Sequence, residues 1–160
     1  MSVTVRPARP EDAAAIHQFV RDLAAHHEHV EEAKASLEEI RHAFFGPAPY
    51  AVCEMAEQDG QLLGFATWFY TFSSWTGRQG LYLEDLFVRD DARGTGAGRA
   101  LMRELARRCA AEGLPRIEWA VNAGNHGGAA FYSRLGAAPL DHATWRLSGQ
   151  ALADLAGGGR

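Results

Sequence analysis

Three glycines at alternate positions, Gly94, Gly96 and Gly98 in VRDDARGTGAGRALMREL (88–105), interrupt a charged turn and run straight into strongly helix-forming sequence. Glycine is a poor helix former, so its concentration here serves something other than helix stability. From Ala97 to Glu112 the apolar positions Ala97, Leu101, Leu105 and Cys109 recur every four residues, which predicts one buried stripe, with Arg99, Arg103, Arg107 and Arg108 pointing away. Before the turn, GLYLEDLFV (80–88) has the aromatic and apolar content of a buried strand. A glycine turn between strand and helix leaves the first helical N–H groups without intrahelical partners, at the positive end of the helix dipole and with no Cβ in the way. Such a turn suits a phosphate, and it equally suits a tight structural corner. The spacing of the dinucleotide fingerprint and the lysine of the P-loop are both missing.

The rest of the chain alternates element types around this junction. SVTVRPA (2–8) reads as a short strand, and RPEDAAAIHQFVRDLAAH (9–26) as a helix with Pro10 at its first position and Glu11 and Asp12 in its first turn. A second, glutamate-rich helix is expected over 31–45, ended by the Gly-Pro-x-Pro of 46–49. YAVCEMAEQ and QLLGFATWFYTF flank Asp59-Gly60, a strong hairpin signal because the turn wants a residue tolerant of positive φ followed by glycine. Strand 80–88 completes a meander, RIEWAV (116–121) and TWRLS (144–148) read as further strands, and a shorter helix is expected around 128–135.

At 160 residues, with 47% hydrophobic and 22% charged residues, the chain suits one domain over 1–160 with frayed residues at 156–160. A formal charge of −4 gives no global basic surface for nucleic acid or an anionic membrane, and no apolar run nears the roughly 20 residues of a membrane span. Cys53 and Cys109 lack metal-type spacing and sit in apolar patterns where a thiol is inert, which argues against an acyl-cysteine intermediate. A reduced, cytoplasmic setting is the expectation. His26, His27 and His29 cluster in one loop or helix end without a separate carboxylate or cysteine set, so no metal is expected.

Taken together, LYLEDLFVRDDARGTGAGRALM and IEWAVNAGNHGGAAFYSRLGA, within 81–136, resemble the GNAT superfamily of acyl-CoA-dependent N-acetyltransferases. Arg93, Gly96 and Gly98 meet its Gln/Arg-x-x-Gly-x-Gly/Ala signature. With RPA near the N-terminus, SWTGR before strand 80–88 and the late WRL, the chain looks most like the diamine (spermidine/spermine) acetyltransferase branch. The resemblance implies an α+β fold with a mixed, mostly antiparallel sheet of about seven strands, about four helices, and acetyl-CoA lying where two central strands splay apart. It also implies a homodimer, with strands after Leu140 as the place for it.

By the same resemblance, the backbone amides of Gly94, Thr95, Gly96, Ala97, Gly98 and Arg99 cradle the CoA pyrophosphate beside Arg93, and Leu86, Phe87 and Val88 bind the pantetheine arm through their backbones. Asn125, Phe131 and Arg134 match cofactor contacts; read alone, Asn125 fits a turn cap and Arg134 a solvated helix residue. The chemistry needs a neutral amine, yet an alkyl ammonium with pKa near 10.4 is neutral in less than about one part in a thousand at pH 7, a deficit of roughly 4–5 kcal/mol. Glu84 is the candidate base, working through an ordered water, and Tyr132 the candidate acid for the departing thiolate. A backbone N–H in 86–88 would serve the oxyanion. Asp85 points to the opposite face of a regular strand, although a bulge would bring both carboxylates toward the acceptor; it is assigned to amine binding.

Glu28, Glu31, Glu32, Glu38 and Glu39 suit a cationic acceptor, with Glu28 matching an acidic contact of the family; a solvated helix face explains the same run. Trp75 and Trp145 are candidates to wall the acceptor, or simply buried core. Three departures from the branch stand out: Gly127-Gly128 should loosen the helix carrying Tyr132, Ser133 replaces a basic residue, and His26-His27 replace a lysine-tyrosine pair. The expected activity is acetyl transfer to a diamine or polyamine, with thialysine or another lysine-like amino acid as the alternative acceptor. A non-catalytic acyl-CoA sensor is the reading from another class.

Overall fold

The computed structural model describes residues 2–157, so the tail residues 158–160 of the expected frayed end lie outside the described residues. The chain divides into two compact units, residues 1–120 and 121–160. In the first, β1 (Thr4–Pro7), β2 (Val52–Gln58), β3 (Gln61–Ser73) and β4 (Arg78–Val88) form an antiparallel meander, and β5 (Ile117–Glu118) joins β4 in parallel at Leu81 and Tyr82. Helices α1 (Ala13–His26), α2 (Leu37–Phe45) and α3 (Ala97–Glu112) complete this unit.

The β2–β3 turn is the one the Asp-Gly pair dictates, with φ of +52° at Asp59 and +78° at Gly60. Cross-strand register then assigns the faces. Met55, Phe65 and Phe87 oppose one another across β2, β3 and β4 and meet Ile16 and Phe19 of α1 and Ile40 of α2. Phe19 lies 5.5 Å from Phe65 and 5.8 Å from Phe87, ring centre to ring centre. Each such side chain contributes roughly 1.5–3 kcal/mol on burial. The opposite face carries Glu54, Trp68 and Leu83 and receives α3, whose buried residues Ala97, Leu101, Leu105 and Cys109 form the expected stripe.

Arg108 does not point away as expected. Its guanidinium reaches under α3, 3.1 Å from the buried Glu54 carboxylate and 5.0 Å from the Trp68 ring centre. The helix expected over 31–45 is split: Val30–Glu32 makes a single 3-10 turn, and α2 begins only after Ser36, which accepts from Glu39 N–H while the Glu39 carboxylate accepts from Ser36 N–H.

The second unit holds α4 (His126–Arg134) and α5 (Gly149–Ala156). The sheet therefore has five strands among the described residues rather than about seven, and there are five α-helices rather than four. RIEWAV supplies only a two-residue strand, and 144–148 forms none. A short run of strand-prone residues becomes a strand only where a neighbour completes its hydrogen-bond ladder. The late strands proposed as a dimer edge are accordingly absent, and α5, which the sequence reading did not anticipate, follows instead.

Candidate active site

The central irregularity is in β4. Thr67 pairs with Asp85 but Trp68 pairs with Leu83, leaving Glu84 as one extra residue. Tyr82 opposes Phe69 on the α1–α2 face and Asp85 opposes Thr67 on that same face, three residues on one strand spanning two on the other. This bulge breaks the regular alternation at Glu84 and sets it beside Asp85 as the unpaired residue of the strand. Thr67 Oγ donates to Asp85 Oδ2 at 2.7 Å. Burial pushes the Glu84 carboxyl above its ordinary range, and the Asp85 charge adds to it. Burial raises the Asp85 carboxyl as well, against the opposing bond from Thr67. Two neighbouring carboxyls that both favour a proton more than usual form a place that welcomes a cation and can accept a proton.

Beyond the bulge, β4 leads to the glycine turn. Among the described residues its second edge is paired only at Leu81 and Tyr82, so the backbone of Leu86, Phe87 and Val88 has no strand on that side. A 3-10 turn over Asp90–Ala92 follows, then Arg93, whose guanidinium is held 2.8 Å from Asp90. Gly94 and Gly96 have φ of +83° and +89°, and a Cβ at either would meet nothing within 4 Å. The demand for glycine is thus conformational, and the space above the turn is open. Thr95 Oγ bonds back to Ala92 O at 2.7 Å, and Gly96 caps α3 without any side-chain hydrogen bond. The first amides of a 16-residue helix, including those of Gly98 and Arg99, follow a turn in which Gly94 and Gly96 carry no Cβ, and Thr95 Oγ accepts from Ala97 N–H at 3.4 Å; the remaining free amides suit a phosphate.

In the second unit, Asn125 is the N-cap of α4: its Oδ1 accepts from Gly128 N–H at 2.9 Å. A Cβ at position 128 would fall 2.6 Å from the Asn125 side chain, so Gly128 makes room for this cap, and α4 starts at His126, two residues earlier than expected. Phe131 and Tyr132 pack edge to face at 5.2 Å, and burial raises the Tyr132 hydroxyl above its ordinary value, which keeps it protonated. Arg134 ends α4 as an exposed residue.

Trp75 and Trp145 are not core. Trp75, at the β3–β4 tip, is 98% exposed and Trp145 is 93% exposed. Glu28 follows α1 as an exposed residue with φ +61°, and His29, Glu31 and Glu32 form a solvent-facing group in which His29 lies 3.2 Å from Glu32. Both cysteines are buried, and burial pushes the Cys53 thiol well up. An open groove of about 380 Å³ is lined by Pro10 and by Glu38, Arg41, His42, Phe45 and Gly46, and of the candidate residues it contains Glu38 alone. No helix among the described residues is long and apolar enough to cross a membrane.

Comparison with known proteins gives a consistent result. The sequence model of the Acetyltransferase (GNAT) family matches residues 16–137. The chain is 31% identical to thialysine N-epsilon-acetyltransferase from Sus scrofa, covering 98% of both chains. It is 29% identical to the human spermidine/spermine N(1)-acetyltransferase-like protein 1 over 64% of this chain and 16% of that one. An integron cassette protein from V. cholerae has a similar structure, with a TM-score of 0.81, 25% identity and 98% of each chain covered.

Proposed function

The chain belongs to the GNAT acetyltransferase family, and from that premise we propose that it transfers an acetyl group from acetyl-CoA directly to the primary amine of a small cationic acceptor. The observation that carries this reading is the β4 bulge, where Glu84 is the extra residue next to Asp85, and both carboxyls are raised, on the strand that leads into the glycine turn. Bound at that turn and along residues 86–88, acetyl-CoA supplies an activated thioester carbonyl. Asp85, oriented by Thr67, holds the incoming ammonium. Glu84, with its carboxyl raised by burial, takes the proton that the ammonium loses, directly or through one water. A backbone N–H in 86–88 is available to the developing oxyanion. Tyr132, kept protonated at neutral pH, holds the proton needed by a departing thiolate.

For the acceptor, relatives named for thialysine match over nearly the whole chain, while the polyamine-named relative matches over a part. This favours the side-chain amine of thialysine or another lysine-like amino acid. The acidic residues Glu28, Glu31, Glu32, Glu38 and Glu39 support a second reading, a diamine or polyamine. Thiol release from acetyl-CoA, measured at one donor concentration against thialysine, lysine, spermidine, putrescine and a peptide amine, separates them. Turnover confined to the amino acids rejects polyamines, and the converse rejects thialysine. Acetyl-CoA binding without turnover on any amine would replace both with a sensor role.

A further inference from the structure

The end of α1 and the glycine turn meet through two basic side chains. Arg93 Nη2 lies 3.4 Å from His26 Nδ1 and 3.5 Å from His26 Nε2, as well as 2.8 Å from Asp90 Oδ1. A guanidinium has donors only, so a ring nitrogen that receives it has to be unprotonated. With both ring nitrogens protonated, the pair faces donor to donor and cation to cation. Both residues are exposed, and they come from different elements: His26 is the last residue of α1, and Arg93 directly precedes Gly94.

We infer that His26 and Arg93 form a two-sided clamp for a phosphate group of the cofactor, and that closing the clamp takes up a proton at His26. The inference rests on acetyl-CoA being the donor and adds a residue from outside the glycine motif. A phosphate between the two side chains accepts from the guanidinium and from an imidazolium N–H, two charge-assisted hydrogen bonds that offset the like-charge encounter a protonated His26 would otherwise make with Arg93. The proton comes from solvent, and no covalent bond changes. The surrounding charges do not supply this linkage by themselves. Asp90 is already engaged with Arg93, Asp22 one turn back on α1 is bonded by Gln18, and His27 lies edge-on to His26 at 5.4 Å between ring centres.

The test is calorimetric titration with dephospho-CoA between pH 6.0 and 8.0 at constant ionic strength. This ligand keeps the pyrophosphate but lacks the 3′-phosphate, whose own second ionisation near pH 6 would obscure the protein's. Affinity should weaken roughly fivefold from pH 6.0 to 8.0, since a charge-assisted bond is about twice as strong as a neutral one. The heat at pH 6.5–7 should vary with the ionisation enthalpy of the buffer, which reports proton uptake in the unaltered protein. His26→Gln should bind more weakly at pH 6.0 and without pH dependence, and His27→Gln should behave as wild type. CoA titrated in parallel identifies the phosphate: if His26→Gln removes only the advantage of CoA over dephospho-CoA, the clamp holds the 3′-phosphate. Equal binding of both ligands by His26→Gln and wild type at every pH overturns the clamp while leaving the donor intact. Failure of wild type to bind either ligand overturns both.

Discussion

Replacing Arg108 with Met tests how α3, the helix that begins at the glycine turn, is held on the sheet. Glu54 is 1% exposed, and its Oε1 faces Arg108 Nη2 at 3.1 Å; Arg108 Nη1 is also 3.1 Å from Glu112, which accepts from Tyr70 Oη at 2.6 Å. Breaking a buried pair by removing one partner costs about 3–5 kcal/mol. Protonation sets a ceiling, because Glu54 can shed its charge. From an ordinary glutamate value of 4.5, protonation at pH 7.5 costs about 4 kcal/mol, and at pH 5.5 about 1.4, at 1.36 kcal/mol per pH unit. Burial raises the Glu54 carboxyl in the folded state, so the folded protein binds more protons than the unfolded one, and stability falls as pH rises from 4.5 through that raised value. Losing Arg108 widens this window upward. Arg108→Met should therefore lower stability by about 3 kcal/mol at pH 7.5, with the gap to wild type shrinking by about 2 kcal/mol at pH 5.5. Glu54→Leu/Arg108→Met should recover most of the loss and its pH dependence. Urea unfolding at the two pH values measures all three proteins. A single-variant loss below about 1 kcal/mol, equal at both pH values, would mean that Glu54 is effectively solvated and the reasoning is wrong.

Gly64→Ala would place a Cβ 2.2 Å from Phe87 O and 2.9 Å from Val88 Cα. Backbone cannot yield there cheaply, so a loss of at least about 2 kcal/mol is expected in urea unfolding, together with a raised KM for acetyl-CoA because residues 86–88 shift. Glu84→Gln should lower kcat by roughly 10²-fold or more and move the rise of rate with pH to higher pH, read from a pH–rate profile. Tyr132→Phe should lower kcat far more than it weakens acetyl-CoA binding, a split that steady-state kinetics and direct titration resolve. Cys53, buried and with its thiol pushed up, should resist alkylation in the native protein at pH 8 and react fully in denaturant, as mass spectrometry would show.

Features written in neighbouring residues were legible, and features written across the chain were not. Asp59-Gly60 specifies its turn through two backbone angles, and Ala97–Glu112 specifies α3 through a four-residue apolar repeat ended by Gly113 at φ +67°. The start of α2 also had a local signal, the Ser36-x-x-Glu39 capping box, which the helix expected over 31–45 ran through. Arg108 is different: on a helical wheel it joins a solvated arginine face, and only Glu54, 54 positions earlier, draws it under the helix. Asn125 and Gly128 show how two local rules can compete. A glycine pair weakens a helix start, yet the missing Cβ at 128 is what admits the Asn125 cap, so one member of the pair supports the start of α4.

The bulge at Glu84 marks the limit most sharply, and it matters most for the chemistry. Nothing in YLED distinguishes a regular strand from a bulged one, because the extra residue exists only relative to Thr67 and Trp68 on β3. Those two residues face opposite sides of the sheet. Trp68 is buried against α3 and Arg108 on one face, and Thr67 bonds Asp85 on the other. A regular ladder with Thr67 opposite Asp85 would set Glu84 opposite Trp68, on the face that α3 buries; the one-residue slip sets Leu83 there and leaves Glu84 as the extra residue beside Asp85. The carboxylate pair is thus a product of packing on both faces of the sheet. A substitution such as Thr67→Val should then alter the pH–rate profile through Asp85 without touching either candidate proton carrier, whereas Thr67→Ser, which keeps the hydroxyl, should restore it.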